Sequence, residues 1–278
     1  MDRFETGRLG EPWTVMEETD STNQRAMEAV KRGEAGHGAV FTARRQSAGR
    51  GSGGRRWISD EATGLWCSVV IVEGAHRPGL TLLPAVAIAQ VLRERVGIDA
   101  HLKWPNDVLV GTRTGAGAGT GTGARKIAGV LVETVATVDG EVGHVVGLGV
   151  NVLQEKFAGE LDGLATSVLM ETGRVVEVEQ LGRAIVARMD EMYRQAIDLS
   201  AAWSVMTRMI GREVVLRHAD QVAGEAERES SVGRRETEER VTVVGIDGDG
   251  GLVVRGCDGG AKKLTARSRV EIHWIDAR

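Results

Sequence analysis

Two apolar strand patterns, Ala39–Arg45 (AVFTARR) and Leu65–Val72 (LWCSVVIV), are separated by a stretch in which no helix fits. That stretch carries GRGSGGRRW, Gly49–Trp57, followed by ISDEATG. Gly49-x-Gly51-x-x-Gly54 has the spacing of a dinucleotide-binding loop. Such a loop has to open a helix, whose N-terminus receives the pyrophosphate within a βαβ crossover. Without the helix there is no crossover, and the spacing is a chance match in a chain with 38 glycines. No GxxxxGK[ST] occurs either, which excludes a P-loop. What remains is a glycine-rich loop bearing Arg50, Arg55 and Arg56. Its N–H groups can approach a ligand closely, and its guanidinium forks suit phosphate or carboxylate. Taken alone, the stretch is equally compatible with a solvated hairpin loop carrying incidental charge.

The surrounding chain alternates between strand and helix patterns. Ala100–Trp104, Ile127–Ala136 and His144–Val152 read as further strands. Ser21–Gly33 opens on capping residues and stops at a glycine, as a helix does. Thr81–Gly97 is apolar nearly all round and reads as a buried helix. In Glu177–Ile197 the residues Val178, Leu181, Ile185, Met189, Met192 and Ile197 recur close to a 3.6-residue period. Two breaks stand out. Gly111–Lys126 opens with a low-complexity Gly/Ala/Thr insert, and His218–Arg240 is a run of mixed charge. After Gly211 five short strand patterns follow one another, which predicts a small β-barrel. The expected division is therefore 1–210 and 211–278.

Composition narrows the possible functions. A formal net charge of −4 argues against bulk nucleic-acid binding, which depends on neutralising phosphates. No window approaches the apolar length of a membrane span, and the start, MDRFETGRLG, has no signal-peptide core. Cys67 and Cys257 are too few for a disulfide framework or a zinc site and are expected as reduced thiols. A soluble, cytoplasmic protein is the expectation.

Two other stretches give the arginine loop a context. LKWPNDVLV places Lys103, Asn106 and Asp107 around Trp104-Pro105 at a strand end, and RKIAGVLVE places Lys126 immediately before an apolar strand with Glu133 late in it. These groups hold cations and two carboxylates but no nucleophile–His pair. Adenylation has that requirement: a substrate carboxylate attacks the α-phosphate of ATP, so the protein positions two anions and stabilises the charge between them.

STN (Ser21–Asn23), RRQSAGRGSGGRRW (Arg44–Trp57), KWPND (Lys103–Asp107), RKIAGVLVE (Arg125–Glu133) and GLGVNV (Gly147–Val152) occur in that order. In order and spacing the set resembles the catalytic core of biotin protein ligases, the biotin–[acetyl-CoA carboxylase] ligases, over about residues 13–275. The resemblance implies an α+β fold: a catalytic domain like that of class II aminoacyl-tRNA synthetases, with a mixed β-sheet and flanking helices, then a small SH3-like C-terminal barrel. It implies that biotin and Mg-ATP give biotinyl-5′-AMP and pyrophosphate. A lysine of a biotin carboxyl carrier domain of acyl-CoA carboxylase then takes the biotinyl group. On this resemblance Ser21, Thr22, Asn23 and Gln46 meet the ureido ring of biotin, while Arg50, Gly51 and Ser52 close over its carboxylate and the adenylate. Arg55, Trp57, Lys103, Asn106 and Asn151 fall on the ATP side. Lys126 contacts both the carboxylate and the α-phosphate, and Asp107 orients or deprotonates the incoming lysine. Mg2+ travels with ATP, and no dedicated metal cage is expected.

The chain departs from the pattern at Ser52, where the family commonly has Arg after GRG. The biotin-contacting helix already starts at Ser21, so neither a helix-turn-helix before it nor repressor activity is expected. Lipoate–protein ligases share the fold and chemistry, but their Arg-Arg, triple-Gly and downstream His signature is absent after Arg44-Arg45. A non-catalytic protein that holds biotin or carriers is the alternative from another class. Nucleic-acid binding by the barrel has only Trp274 as a stacking residue and is disfavoured. Monomer and homodimer both stay open.

Overall fold

The computed structural model describes residues 8–72, 77–111, 123–218, 237–266, 268 and 270–274. The centres of the two breaks, 112–122 and 219–236, lie outside the described residues, as does the side chain of Trp274.

Seven strands form one mixed sheet in the order β1-β2-β3-β7-β6-β5-β4. They are β1 (Trp13–Thr19), β2 (Val40–Gln46), β3 (Gly64–Val72), β4 (Ala100–Lys103), β5 (Asp107–Val110), β6 (Arg125–Ala136) and β7 (Val142–Asn151). β1 runs parallel to β2, and every other neighbouring pair is antiparallel. The antiparallel pairing of β2 with β3 follows from the missing helix, because a loop alone can return the chain beside its own strand.

Helix α1 (Thr22–Lys31) covers one face of the sheet, where Ala26 and Val30 pack with Val70, Val135 and Val145. The other face carries the main core. There Cys67, Val69 and Ile71 of β3 and Val146, Leu148 and Val150 of β7 meet α2 (Leu83–Val91) and its π-turn continuation, Leu92–Val96. The short α3 (Val168–Thr172) leads to α4 (Val178–Arg194), which adds Leu181, Ile185, Met189 and Met192, and α5 (Leu199–Met206) adds Trp203. Strand alternation thus sends even-numbered β7 residues into the core and odd-numbered ones to the α1 face.

The C-terminal strands are β8 (Glu213–His218), β9 (Thr237–Ile246), β10 (Leu252–Gly256), β11 (Ala261–Leu264) and β12 (Val270–Trp274). They form an antiparallel sheet in the order β11-β10-β9-β8-β12. Its apolar residues, among them Val214, Val243, Leu252 and Val254, belong to the same core as α2 and α4. Polar ties reinforce that continuity. The Trp104 indole N–H donates to the Gly250 carbonyl at 3.0 Å, and the Ser200 hydroxyl donates to the Asp247 carbonyl at 2.9 Å.

Several expectations need correction. Ile197 lies beyond the end of α4 and is 40% exposed, so it is no part of the helix's buried stripe. Lys126 sits inside β6 as its second residue, not before it. Among the described residues the C-terminal strands, expected as a small barrel, pair as one five-stranded sheet with β11 and β12 at the ends of the order. β1, β5, α3 and α5 were not predicted at all.

Candidate functional site

The α1 face of β6 and β7 forms the floor of a cavity of about 1280 Å³. Gly129 and Gly149 are direct partners across the two strands. A Cβ on Gly149 would lie 2.7 Å from the Trp57 ring, and one on Gly129 would lie 2.8 Å from it. Glycine at both positions therefore lets the indole lie flat on the sheet, with Trp66 edge-on to it at 6.4 Å between centroids. Two residues along β7, a Cβ on Gly147 would sit 2.5 Å from the Asn23 side-chain oxygen. The glycines of GLGV are spaces for the residues above them.

At the start of α1 a hydrogen-bond network joins the helix to β2, β3, β6 and the loop that carries Ser59. The Thr22 backbone N–H and hydroxyl both donate to Gln46 Oε1, at 2.8 and 3.2 Å. Gln46 Nε2 donates to the Ser59 hydroxyl at 3.0 Å. The Ser68 hydroxyl lies 2.8 Å from Thr22 Oγ1 and 2.5 Å from Asn23 Oδ1. Asn23 Nδ2 donates to Glu133 Oε2 at 2.9 Å. Ser21 is the N-cap residue, yet its hydroxyl makes no capping bond, and it lines the cavity. Apart from the Glu133 carboxylate, these groups are neutral donors and acceptors held in place by one another, which suits a neutral polar ring.

The cations stand beside this network. Residues 49–57 fold back as a small hairpin: Gly51 N–H donates to Arg55 O, Trp57 N–H to Gly49 O, and Arg50 pairs with Arg56. The tip needs two consecutive left-handed residues, and Gly53 (φ 67°) and Gly54 (φ 78°) supply them. Arg50 reaches from this hairpin to Glu133, with Nη2 2.5 Å from Oε1. Arg55 turns back onto Ser52, donating to its carbonyl and hydroxyl oxygens at 3.2 Å.

On the far side Lys126 Nζ is 2.6 Å from Asp107 Oδ1, an ion pair whose angles are not those of a hydrogen bond. It also stands 5.0 Å from the Trp57 ring centroid. A register shift between Val108 and Leu109 lets Asp107 at the start of β5 meet Lys126 near the start of β6. Asn106 is occupied by the backbone, donating to Val130 O at 3.0 Å, and Asn151 Nδ2 donates to Thr166 O at 3.0 Å.

The structure brings every candidate residue except Lys103 to the wall of this one cavity. Lys103 is partly buried beside it. Burial lowers its pKa, as do the charges of Lys126 and Arg55, while Asp107 and Glu271 oppose them. Ser68, Ser59 and the three floor glycines were not picked out from the sequence. The available signal for Ser68 was a lone hydroxyl inside the apolar run LWCSVV. Cys67, also on the wall, has its thiol pushed up by burial. No group of three metal-ligating side chains converges among the described residues, and none of their helices is long and apolar enough to cross a membrane.

Residues 15–151 match the biotin/lipoate A/B protein ligase family. The bifunctional ligase/repressor BirA of Bacillus subtilis is 31% identical over 179 residues, 63% of this chain but 51% of that protein. The chain thus spans about half the length of that relative. The biotin–[acetyl-CoA-carboxylase] ligase of Paracoccus denitrificans is 30% identical over 255 residues, covering 87% of this chain and 93% of that one. Among solved structures, the biotin protein ligase of Aquifex aeolicus in complex with biotin and ATP has a TM-score of 0.71 at 23% identity, over 95% of this chain and all of that one (100%). At that identity the likeness is one of fold. The alignment with the Paracoccus ligase runs through almost its whole length, and on that ground the chain belongs to the biotin/lipoate A/B protein ligase family.

Proposed function

We propose that this chain is a biotin protein ligase, which activates biotin with Mg-ATP and transfers it to a lysine of a biotin carboxyl carrier domain. One observation carries the reading. A single cavity holds a network of neutral polar groups at Ser21–Asn23 and Gln46, cations at Arg50 and Lys126, and, among the described residues, no lining histidine to activate a protein nucleophile. The substrate supplies its own nucleophile. The biotin carboxylate oxygen bonds to the α-phosphorus, and the bond from that phosphorus to the bridging oxygen breaks, releasing pyrophosphate.

Arg50 and Lys126 are balanced by Glu133 and Asp107. Lys126 turns from Asp107 toward the α-phosphate as charge accumulates there. Asp107, released, accepts a proton from the carrier lysine, whose amine then attacks the acyl carbon and expels AMP. Trp57 and Arg55 lie on the nucleotide side with Gly51 and Ser52 in the covering hairpin. Asn106 and Asn151 act there through the backbone they hold. Lys103 acts through its field, since it does not line the cavity. Mg2+ enters on the triphosphate.

The seven-stranded sheet is read as the core of a catalytic domain of the class II aminoacyl-tRNA synthetase type, residues 1–210, and the C-terminal sheet as SH3-like, residues 211–278. A cytoplasmic setting, where ATP and carboxylase carriers occur together, fits the activity, as monomer or homodimer.

The test is biotin-dependent ATP–pyrophosphate exchange, run beside lipoate and octanoate, on the native chain and on Lys126→Ala. Exchange with biotin alone, lost in the variant, is the expected result. Tight biotin binding without exchange would leave a binding protein. Exchange with lipoate would move the chain to the other branch of its family.

A further inference from the structure

Glu133 has no role in the chemistry described above, yet its carboxylate touches both ends of the site. It projects from β6 toward α1, on the same face as Gly129 and Leu131, opposite Val145 of β7. Its side chain is 18% exposed. Oε2 accepts from Asn23 Nδ2 at 2.9 Å, and Oε1 accepts from Arg50 Nη2 at 2.5 Å. These donors come from distant parts of the chain, one at the start of a helix and the other on the glycine hairpin.

Each contact fixes something that would otherwise be free. An ionised carboxylate only accepts, so it forces the NH2 group of Asn23 toward itself and leaves Oδ1 facing the Ser68 hydroxyl. That sets the donor and acceptor pattern the amide offers. Arg50 stands on a hairpin whose tip is two glycines, and its side chain is 41% exposed. Besides Glu133 it meets Gln24 Oε1, at 3.2 Å from Nη1. Ordering a free arginine side chain costs conformational entropy, and the Glu133 contact holds that side chain in place before substrate arrives. A guanidinium has five donors in one plane, enough to keep Glu133 on one edge and receive a second carboxylate on another.

We infer that Glu133 is the positioning residue that aims Arg50 at the substrate's carboxylate while fixing the Asn23 amide for its ring, so that the two ends are recognised together. The inference rests on the biotin-ligase reading and adds a residue to it. Glu133 touches no reacting atom; it acts through Arg50 and Asn23.

The test compares two ligands by calorimetry: biotin, and biotinol, in which the carboxylate is replaced by a primary alcohol. Glu133→Gln keeps an oxygen acceptor for Asn23 but loses the charge that holds Arg50. This variant is expected to bind biotinol as the native chain does and biotin about tenfold more weakly, shrinking the preference for the carboxylate. Glu133→Ala, which loses both contacts, is expected to weaken both ligands. A purely structural role would weaken both equally in Glu133→Gln, and that result overturns the inference. A larger preference for biotin in Glu133→Gln also overturns it, because Glu133 would then be competing with the substrate for Arg50. Failure of the native chain to bind biotin would instead sink the ligase reading beneath it.

Discussion

Gly149→Ala tests whether the glycines of β7 exist to seat Trp57. In an ordinary strand the change from Gly to Ala gains about 0.5–1 kcal/mol, because glycine loses more backbone freedom on folding. Here the new Cβ would lie 2.7 Å from Cε2 of Trp57 and 2.9 Å from Cζ2 and Nε1. Comfortable carbon contacts are about 3.5–4.0 Å, so the ring has to retreat by about 1 Å. Trp66 and Lys126 stand beside it, the ammonium 5.0 Å from its centroid. Forcing extra volume into a packed site costs about 1–3 kcal/mol, which leaves a net loss of up to about 2.5 kcal/mol. In a Trp57→Ala background the obstruction is gone and only the backbone gain should remain. The two positions should therefore couple by more than about 1 kcal/mol in a double-mutant cycle measured by urea unfolding. Equal effects of Gly149→Ala in both backgrounds would refute the seating argument.

Ser68→Ala removes the donor that faces Thr22 and Asn23 in a fully buried network. It should cost about 1–3 kcal/mol in urea unfolding and weaken biotin in calorimetry, since the orphaned Asn23 oxygen is free to turn; undiminished biotin affinity would show that Asn23 needs no such support. His101 is buried with no partner at Nδ1, and burial, helped by Arg208 and Arg93 against Asp99, lowers its pKa from 6.5 to about 4. The unfolded chain takes up that proton first, so this contribution to stability is complete above pH 6.5 and is lost as pH falls through about 4, by about 3 kcal/mol in all. Urea midpoints of the native chain and His101→Gln should diverge below pH 6.5, and parallel declines would assign the acid sensitivity elsewhere.

Much of this architecture was legible because apolar runs bounded by turns are strong signals. β3 and β7 fell within a residue or two of their predicted bounds. β1 was missed because it is an edge strand whose exposed positions outnumber its half-buried ones, leaving no alternation to read. β5 was missed because it is four residues long and follows a proline turn. The site divides in the same way. Ser21–Asn23, Arg50 and Lys126 stood out as charged or capping residues in unusual settings. Gly129, Gly147 and Gly149 read as punctuation until the pairing of β6 with β7 put them beneath Trp57 and Asn23. The Arg50–Glu133 contact spans 83 residues of chain, and no local pattern announces it.

The tie from Trp104 to Gly250 has a consequence for how such a chain can change. The indole belongs to the turn that carries Asn106 and Asp107, while its ring lies in the core shared with Val214, Val243 and Leu252. The C-terminal sheet therefore works as a keystone and not as an attachment. A replacement module would have to present both an apolar face and a carbonyl at one fixed point, or the corner holding Asp107 would slacken. The last sheet cannot be exchanged without retuning the site.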